Sequence, residues 1–131
     1  MGHGSFATAL NCMDGRTQSA VTESLKKRFG VEYVDQITEP GIVNILANSA
    51  NGAPSLDWIR RKCDISVQHH HSKGIAIVAH VECAGNAVSD DEQQAHLKRA
   101  VDLVKSWYPN LTTLGLWVEK QNENWFAEPI V

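Results

Sequence analysis

No run of apolar residues in this chain approaches the roughly 20 needed to cross a bilayer; the densest, Ile75-Ala76-Ile77-Val78-Ala79, is five long. The first residues also lack the apolar core of a signal peptide, so a cytoplasmic protein with no membrane partner is expected. Excess charge is missing too. A net charge of -3, from 12 Lys and Arg against 15 Asp and Glu, leaves no electrostatic footprint for nucleic acid. The basic runs Lys26-Lys27-Arg28 and Arg60-Arg61-Lys62 fall in expected helices and read as solvated faces. Cysteine is scarce as well, and three is an odd number, which argues against a disulfide framework and for thiols used in packing or as ligands. With four prolines, no repeats and no low-complexity linker, the 131 residues read as one domain, 1–131.

What is present is an alternation of short strands and helices. Phe6 to Leu10 reads as a buried strand running into Cys12, and Thr17 to Phe29 as a helix, with Val21, Leu25 and Phe29 at spacing four and Gly30 as its stop. A second strand is expected over Val31 to Ile37, ended by Glu39-Pro40-Gly41. Ile42-Val43 and Ile45-Leu46 suggest a short helix, with a turn at Asn51-Gly52. Ser55 is expected to cap a helix carrying Ile59, Cys63 and Val67 on one stripe and ending near His69-His70-His71. Ile75 to Ala79 has the pattern of a strand covered on both faces. Ser89 and Glu92 form a capping box for a helix to about Trp107, with Leu97, Ala100, Val101 and Val104 inward. Thr113 to Glu119 and an antiparallel Trp125 to Ala127 complete the set.

Such alternation implies right-handed crossovers and an α/β fold: a mostly parallel sheet of about five strands, order 2-1-3-4 plus an antiparallel edge strand, with helices on both faces. This order has its switch point between strands one and three, where ligands of open α/β sheets bind at the carboxyl ends. Cys12 leaves the end of strand one and His80 the end of strand three, with Cys83 close behind. Two thiolates and an imidazole are a sufficient protein ligand set for a catalytic Zn2+, leaving one position for water. Zinc lowers the pKa of that water from about 15.7 toward about 7. Asp14, held ionised by Arg16, could accept its hydrogen; alternatively Asp14 could itself close the fourth position, an outcome acid should favour because water competes for zinc less well than hydroxide. Cys63 reads as core, His69 to His71 as a helix end that can take up metal incidentally, and His96 as exposed. Trp58, Trp107, Trp117 and Trp125 are expected in the core or at an interface.

At these residues the sequence resembles the beta-class carbonic anhydrases, whose signature is Cys-x-Asp-x-Arg followed later by His-x-x-Cys. Both are complete here, as Cys12, Asp14 and Arg16 and as His80 and Cys83. Ser55-Leu56-Asp57-Trp58 is similar to the family's Ser-Leu-Glu-Tyr helix start, and Gly115-Leu116-Trp117-Val118 to its late strand. The resemblance implies that Cys12, His80 and Cys83 bind zinc, and that Asp14 and Arg16 form a catalytic dyad. The implied reaction is reversible hydration of carbon dioxide to bicarbonate, with zinc-bound hydroxide as nucleophile, in a homodimer or higher homo-oligomer. The chain departs from the family in entering its first strand without a long helical arm. It also carries Cys83-Ala84-Gly85 where a glycine normally follows the cysteine, and keeps only Gly41 of the loop after strand two. Two other readings stay open: hydrolysis of carbonyl sulfide or carbon disulfide at the same zinc, and a non-catalytic zinc module with Asp14 as fourth ligand.

Overall fold

The apolar run at the middle of the sequence forms a strand in which every residue is buried, Ile75–His80 (β3). Around it the computed structural model, which describes residues 4–131, arranges Phe6–Cys12 (β1), Tyr33–Glu39 (β2), Thr113–Gln121 (β4) and Asn124–Pro129 (β5). Residues 1–3, part of the stretch read for a signal peptide, lie outside the described residues. The sheet order is β2-β1-β3-β4-β5, parallel except for the antiparallel β4–β5 hairpin. The helices are Gln18–Phe29 (α1), Ile42–Asn48 (α2), Pro54–Asp64 (α3) and Asp90–Trp107 (α4). Fold class and strand order agree with the expectation, because β3 has no polar face and must be covered twice.

Side-chain alternation along β3 divides the core. Ile75, Ile77 and Ala79 join Leu10, Ile59, Leu97, Val101 and Trp117 under α2, α3 and α4. Ala76 and Val78 join Ala9, Leu116 and Val118 on the other face, where Val21 and Leu25 of α1 close over them. Parallel pairing sets Thr8 beside Ile75 and Leu10 beside Ile77, so the carboxyl ends of β1 and β3 emerge side by side.

Several boundaries differ from the expectation. The second strand begins at Tyr33 rather than Val31, because Gly30 ends α1 in the left-handed region (φ 62°) and the Val31 N–H donates to the Lys26 carbonyl, which uses Val31 in the helix terminus. Ser55 is not a cap. Ala53 occupies that place and Pro54 fills the first helical position, where its missing N–H costs nothing. After α3 the chain widens into a π-helical turn, Ile65–His69, that points Ser66 inward to Thr8 and Asp35. His96 is half-buried between Asn86 and Asn48. Trp117 is core, Trp107 and Trp125 are half-buried, and Trp58 is exposed beside Arg61 and Lys62. Cys63 is buried, its thiol pushed up to about 12 chiefly by burial, which fits packing.

Helix α4 starts as read: the Ser89 hydroxyl accepts the Glu92 N–H at 3.2 Å. Leu97 is fully buried against the sheet. Leu97→Ala is therefore expected to lower unfolding stability by about 2–5 kcal/mol, and Ser89→Ala by about 1 kcal/mol, both read from urea denaturation.

Candidate metal centre

Cys12 is the last residue of β1, and its place is fixed by side chains on either side of it in sequence. The Asn11 carboxamide oxygen accepts the Cys12 N–H at 2.8 Å and the Thr17 hydroxyl at 3.2 Å. The Thr17 hydroxyl has a second, shorter contact of 2.9 Å to the Asp14 carbonyl, and Gln18 donates to the Cys12 carbonyl at 2.8 Å. Across the switch point, His80 ends β3 with its own carbonyl accepting the buried Gln93 amide at 2.6 Å. The turn Val81-Glu82 then brings Cys83 back beneath it, with Glu82 at φ 57°. The Pro40-Gly41 loop closes the third side: Gly41 (φ 58°) packs on Gly85, and a Cβ on Gly41 would lie 2.4 Å from the Gly85 oxygen. The Gly41 N–H points at the Cys12 sulfur at 3.5 Å. This explains the displaced glycine of the sequence, since Gly85 is the partner that Gly41 requires.

Cys12, His80 and Cys83, all buried, present ligand atoms within 4.8 Å of one another. Their sulfurs are 3.9 Å apart. A disulfide needs about 2.05 Å, whereas two sulfurs at about 2.3 Å from one tetrahedral zinc are about 3.8 Å apart. His80 Nδ1 lies 2.7 Å from the Val81 carbonyl. A carbonyl only accepts, so Nδ1 carries the hydrogen and the Nε2 of a neutral ring is a bare lone pair. That buried Nε2 has no hydrogen-bond partner of proper geometry among the described residues. An orphaned imidazole nitrogen facing two sulfurs is what a thiophilic divalent cation would satisfy.

The electrostatics agree. Burial pushes the Cys12 thiol up, but the His80 side chain and the Gly41 and Asp14 backbone N–H groups outweigh it and bring it down to about 7. Burial also favours neutral His80, yet the Cys12 sulfur and the Val81 carbonyl together raise its pKa. Cys83 is raised, first by burial and then by the charge on Cys12.

Asp14 and Arg16 do meet, and Asp14 is not a member of the three-ligand group. Arg16 Nε donates to both Asp14 oxygens at 3.0 and 3.1 Å, Nη2 donates to Oδ2 at 2.6 Å, and the Arg16 backbone N–H donates to Oδ1 at 2.9 Å. Those hydrogen bonds, the side-chain ones above all, hold the Asp14 carboxyl down to about 2 against the opposing effect of burial. The sequence reading missed Glu82, whose carboxylate accepts Arg16 Nη1 at 3.0 Å, and Trp125, whose ring lies 5.0 Å from the guanidinium carbon. It also missed Gln93 and Asn11. The capping-box helix marked where Gln93 would fall, but no local pattern points it at His80.

A family model described as "Putative carbonic anhydrase" matches residues 2–131. No curated protein matches the chain by sequence. Among solved structures, the chain is similar to beta-carbonic anhydrase isoform I of Trichomonas vaginalis, with TM-score 0.59, 16% identity, and 95% of this chain and 81% of that one covered. It is also similar to the beta-carbonic anhydrase CafA of Aspergillus fumigatus, with TM-score 0.53, 14% identity and coverage of 98% and 76%. One of two tetrameric beta-carbonic anhydrases of Sordaria macrospora aligns with TM-score 0.52, 11% identity and coverage of 98% and 82%. At these identities the likenesses show the fold.

Because Gly41 has both a positive φ and a backbone neighbour in the path of any Cβ, Gly41→Ala is expected to cost about 2 kcal/mol or more. It should also part the Cys12 and Cys83 loops. Urea denaturation and metal content per chain check this together; unchanged metal uptake would mean that the Gly41–Gly85 contact does not hold the centre.

Proposed function

Since the chain belongs to this carbonic anhydrase family, we propose that it catalyses the reversible hydration of carbon dioxide, CO2 + H2O to HCO3- and H+, at a Zn2+ held by Cys12, His80 and Cys83. The observation that carries the reading is the gathering of two sulfurs 3.9 Å apart, a spacing that suits one tetrahedral ion, with an imidazole nitrogen that has no hydrogen-bond partner among the described residues within 4.8 Å of them. Bound there, Zn2+ would supply Lewis acidity, making a coordinated water acidic enough to act as a nucleophile near neutral pH.

The remaining work falls to Asp14 and Arg16. Asp14 accepts the hydrogen of the attacking water and so turns a lone pair toward carbon dioxide. Arg16 keeps Asp14 ionised and fixes its plane by a two-point contact. His80 holds its Nδ1 hydrogen on Val81, which keeps the Nε2 lone pair toward the ligand position. The engagement of Asp14 by Arg16 supports a fourth position left for water over a non-catalytic module that Asp14 closes.

The reading includes self-association, as in the tetrameric Sordaria enzyme, for which Trp58, Ile65 and Phe126 offer exposed apolar surface; sedimentation reads it directly. No helix among the described residues is long and apolar enough to cross a membrane.

The decisive experiment is stopped-flow hydration of carbon dioxide by protein of assayed zinc content, with carbonyl sulfide as a parallel substrate. Asp14→Asn is expected to keep one zinc per chain and lower turnover on the order of 10²-fold, the effect of removing one oriented hydrogen-bonding group. Cys83→Ala should lose the metal and part of the folding stability with it. Full activity of Asp14→Asn would remove the dyad from the mechanism.

The depressed Asp14 pKa fixes the sign of its pH dependence. A lowered acid adds its share of stability above the ordinary carboxyl range and loses it as pH falls through about 2. From about pH 5 to about pH 9 Asp14 stays ionised, so kcat/KM of the native protein and of Asp14→Asn should trace parallel pH profiles. An acid limb present in the native protein and absent in Asp14→Asn would contradict this.

A further inference from the structure

Arg16 is gripped on two edges and one face by three separate parts of the chain. Its Nε and Nη2 edge lies on Asp14. Nη1 donates to the Glu82 carboxylate at 3.0 Å, and Nη2 donates to the Glu82 carbonyl at 3.3 Å. The Trp125 ring stands against the guanidinium face, 5.0 Å from centroid to carbon. Four of the five guanidinium N–H groups are thereby directed, and the plane of the group is set.

The two outer holders come from elements with other reasons to be rigid. Trp125 lies on β5, paired with Lys120, and packs against the core layer of Val21, Leu25, Val78 and Val118. Glu82 sits in the turn between His80 and Cys83 at φ 57°, a conformation that L residues adopt at a cost and glycine adopts freely. A glycine would make the same turn with less strain but could not reach Arg16. Arg16 and Glu82 are both well exposed, and exposed ion pairs contribute little to stability, so the use of this arrangement lies in orientation.

We propose that Glu82 and Trp125 are positioning residues for Arg16: they hold its Asp14-facing edge in place and so keep the Asp14 carboxylate on Arg16 and outside the Cys12–His80–Cys83 group. The inference rests on the reading of Asp14 and Arg16 as a functional pair. Without either holder Arg16 turns about its side chain, and the Asp14 carboxylate gains freedom to swing toward the ligands.

The test reads Arg16 directly. In 15N-labelled protein the Arg16 Nε–H resonance, assigned by its loss in Arg16→Lys, reports hydrogen exchange with solvent. Glu82→Gln and Trp125→Leu are expected to speed that exchange about twofold to fivefold, the fold-change of an exposed cation–π contact or ion pair. Trp125→Phe, which keeps an aromatic face, should stay within about twofold of the native rate. With zinc bound, kcat for carbon dioxide hydration should fall in step with exchange while KM and zinc content hold, since both residues act through Arg16 and neither belongs to the Cys12–His80–Cys83 group.

Exchange unchanged in Glu82→Gln and in Trp125→Leu would overturn the proposal whatever the activity. Faster exchange with native kcat would also overturn it, by showing that seating Arg16 does not matter to the dyad. If Trp125→Leu fails to fold, Glu82→Gln alone decides. The exchange effects in the variants, together with a native protein that does not hydrate carbon dioxide, would remove the proposed reaction and leave the grip on Arg16 standing.

Discussion

Two sulfurs 3.9 Å apart in a buried pocket set the condition that the rest of the centre must meet. Both cannot ionise unaided. Two unit negative charges about 4 Å apart repel by about 4 kcal/mol at an effective dielectric of about 20. The protein divides the burden: Cys12 is lowered toward neutrality by His80 and two backbone N–H groups, while Cys83 is held protonated by burial and by Cys12. His80 Nε2, with no hydrogen-bond partner of proper geometry among the described residues, faces the same space. A divalent cation would resolve all three conditions together, and binding it would require Cys83 to give up its proton.

Bringing these groups together depends on the order of the sheet. Parallel strands β1 and β3 are neighbours through long crossovers, with Leu10 beside Ile77, so ligands 68 and 71 residues apart in sequence leave adjacent strand ends. The crossovers are held by apolar packing on two faces, and α4 supplies the buried Gln93 that fixes the His80 carbonyl. Beyond the strand ends, regular pairing stops and the loops must be held individually. The Gly41–Gly85 approach does this for the Cys12 and Cys83 sides, and the Asn11 and Gln18 carboxamides do it for the turn at Asp14.

Much of this was legible in the sequence because it is local. The strand–helix alternation, the apolar run of β3, the Ser89 cap and the switch point follow from periodicity and end signals, and both motifs lie where the strand order puts them. What was not legible was non-local or decided by competition between neighbours. Val31 reads as strand until the helix end claims its N–H, and Ser55 reads as a cap until Pro54 takes the first position. Glu82 and Trp125 have no pattern of their own; their importance comes only from where Arg16 points. Gly85 reads as a displaced family glycine until Gly41 is seen to need it.

The orientation of Asp14 also bears on whether the centre works or is merely closed. An ionised carboxylate offers about four lone-pair positions. The Arg16 backbone N–H, Nε–H and Nη2–H already occupy Oδ1 and Oδ2, with Nε shared between them, which leaves about one. A carboxylate with one free position can take a single O–H in a defined direction, which is what orienting a water requires. To join the Cys12–His80–Cys83 group, of which it is not a member, it would have to move against its charge-assisted bonds to Arg16, a group held from behind by Glu82 and from one face by Trp125. Closure therefore competes with a contact built from both motifs and the terminal hairpin, while accepting a hydrogen from water competes with none of them. The same bonds that hold the Asp14 carboxyl near 2 thus oppose its departure from Arg16.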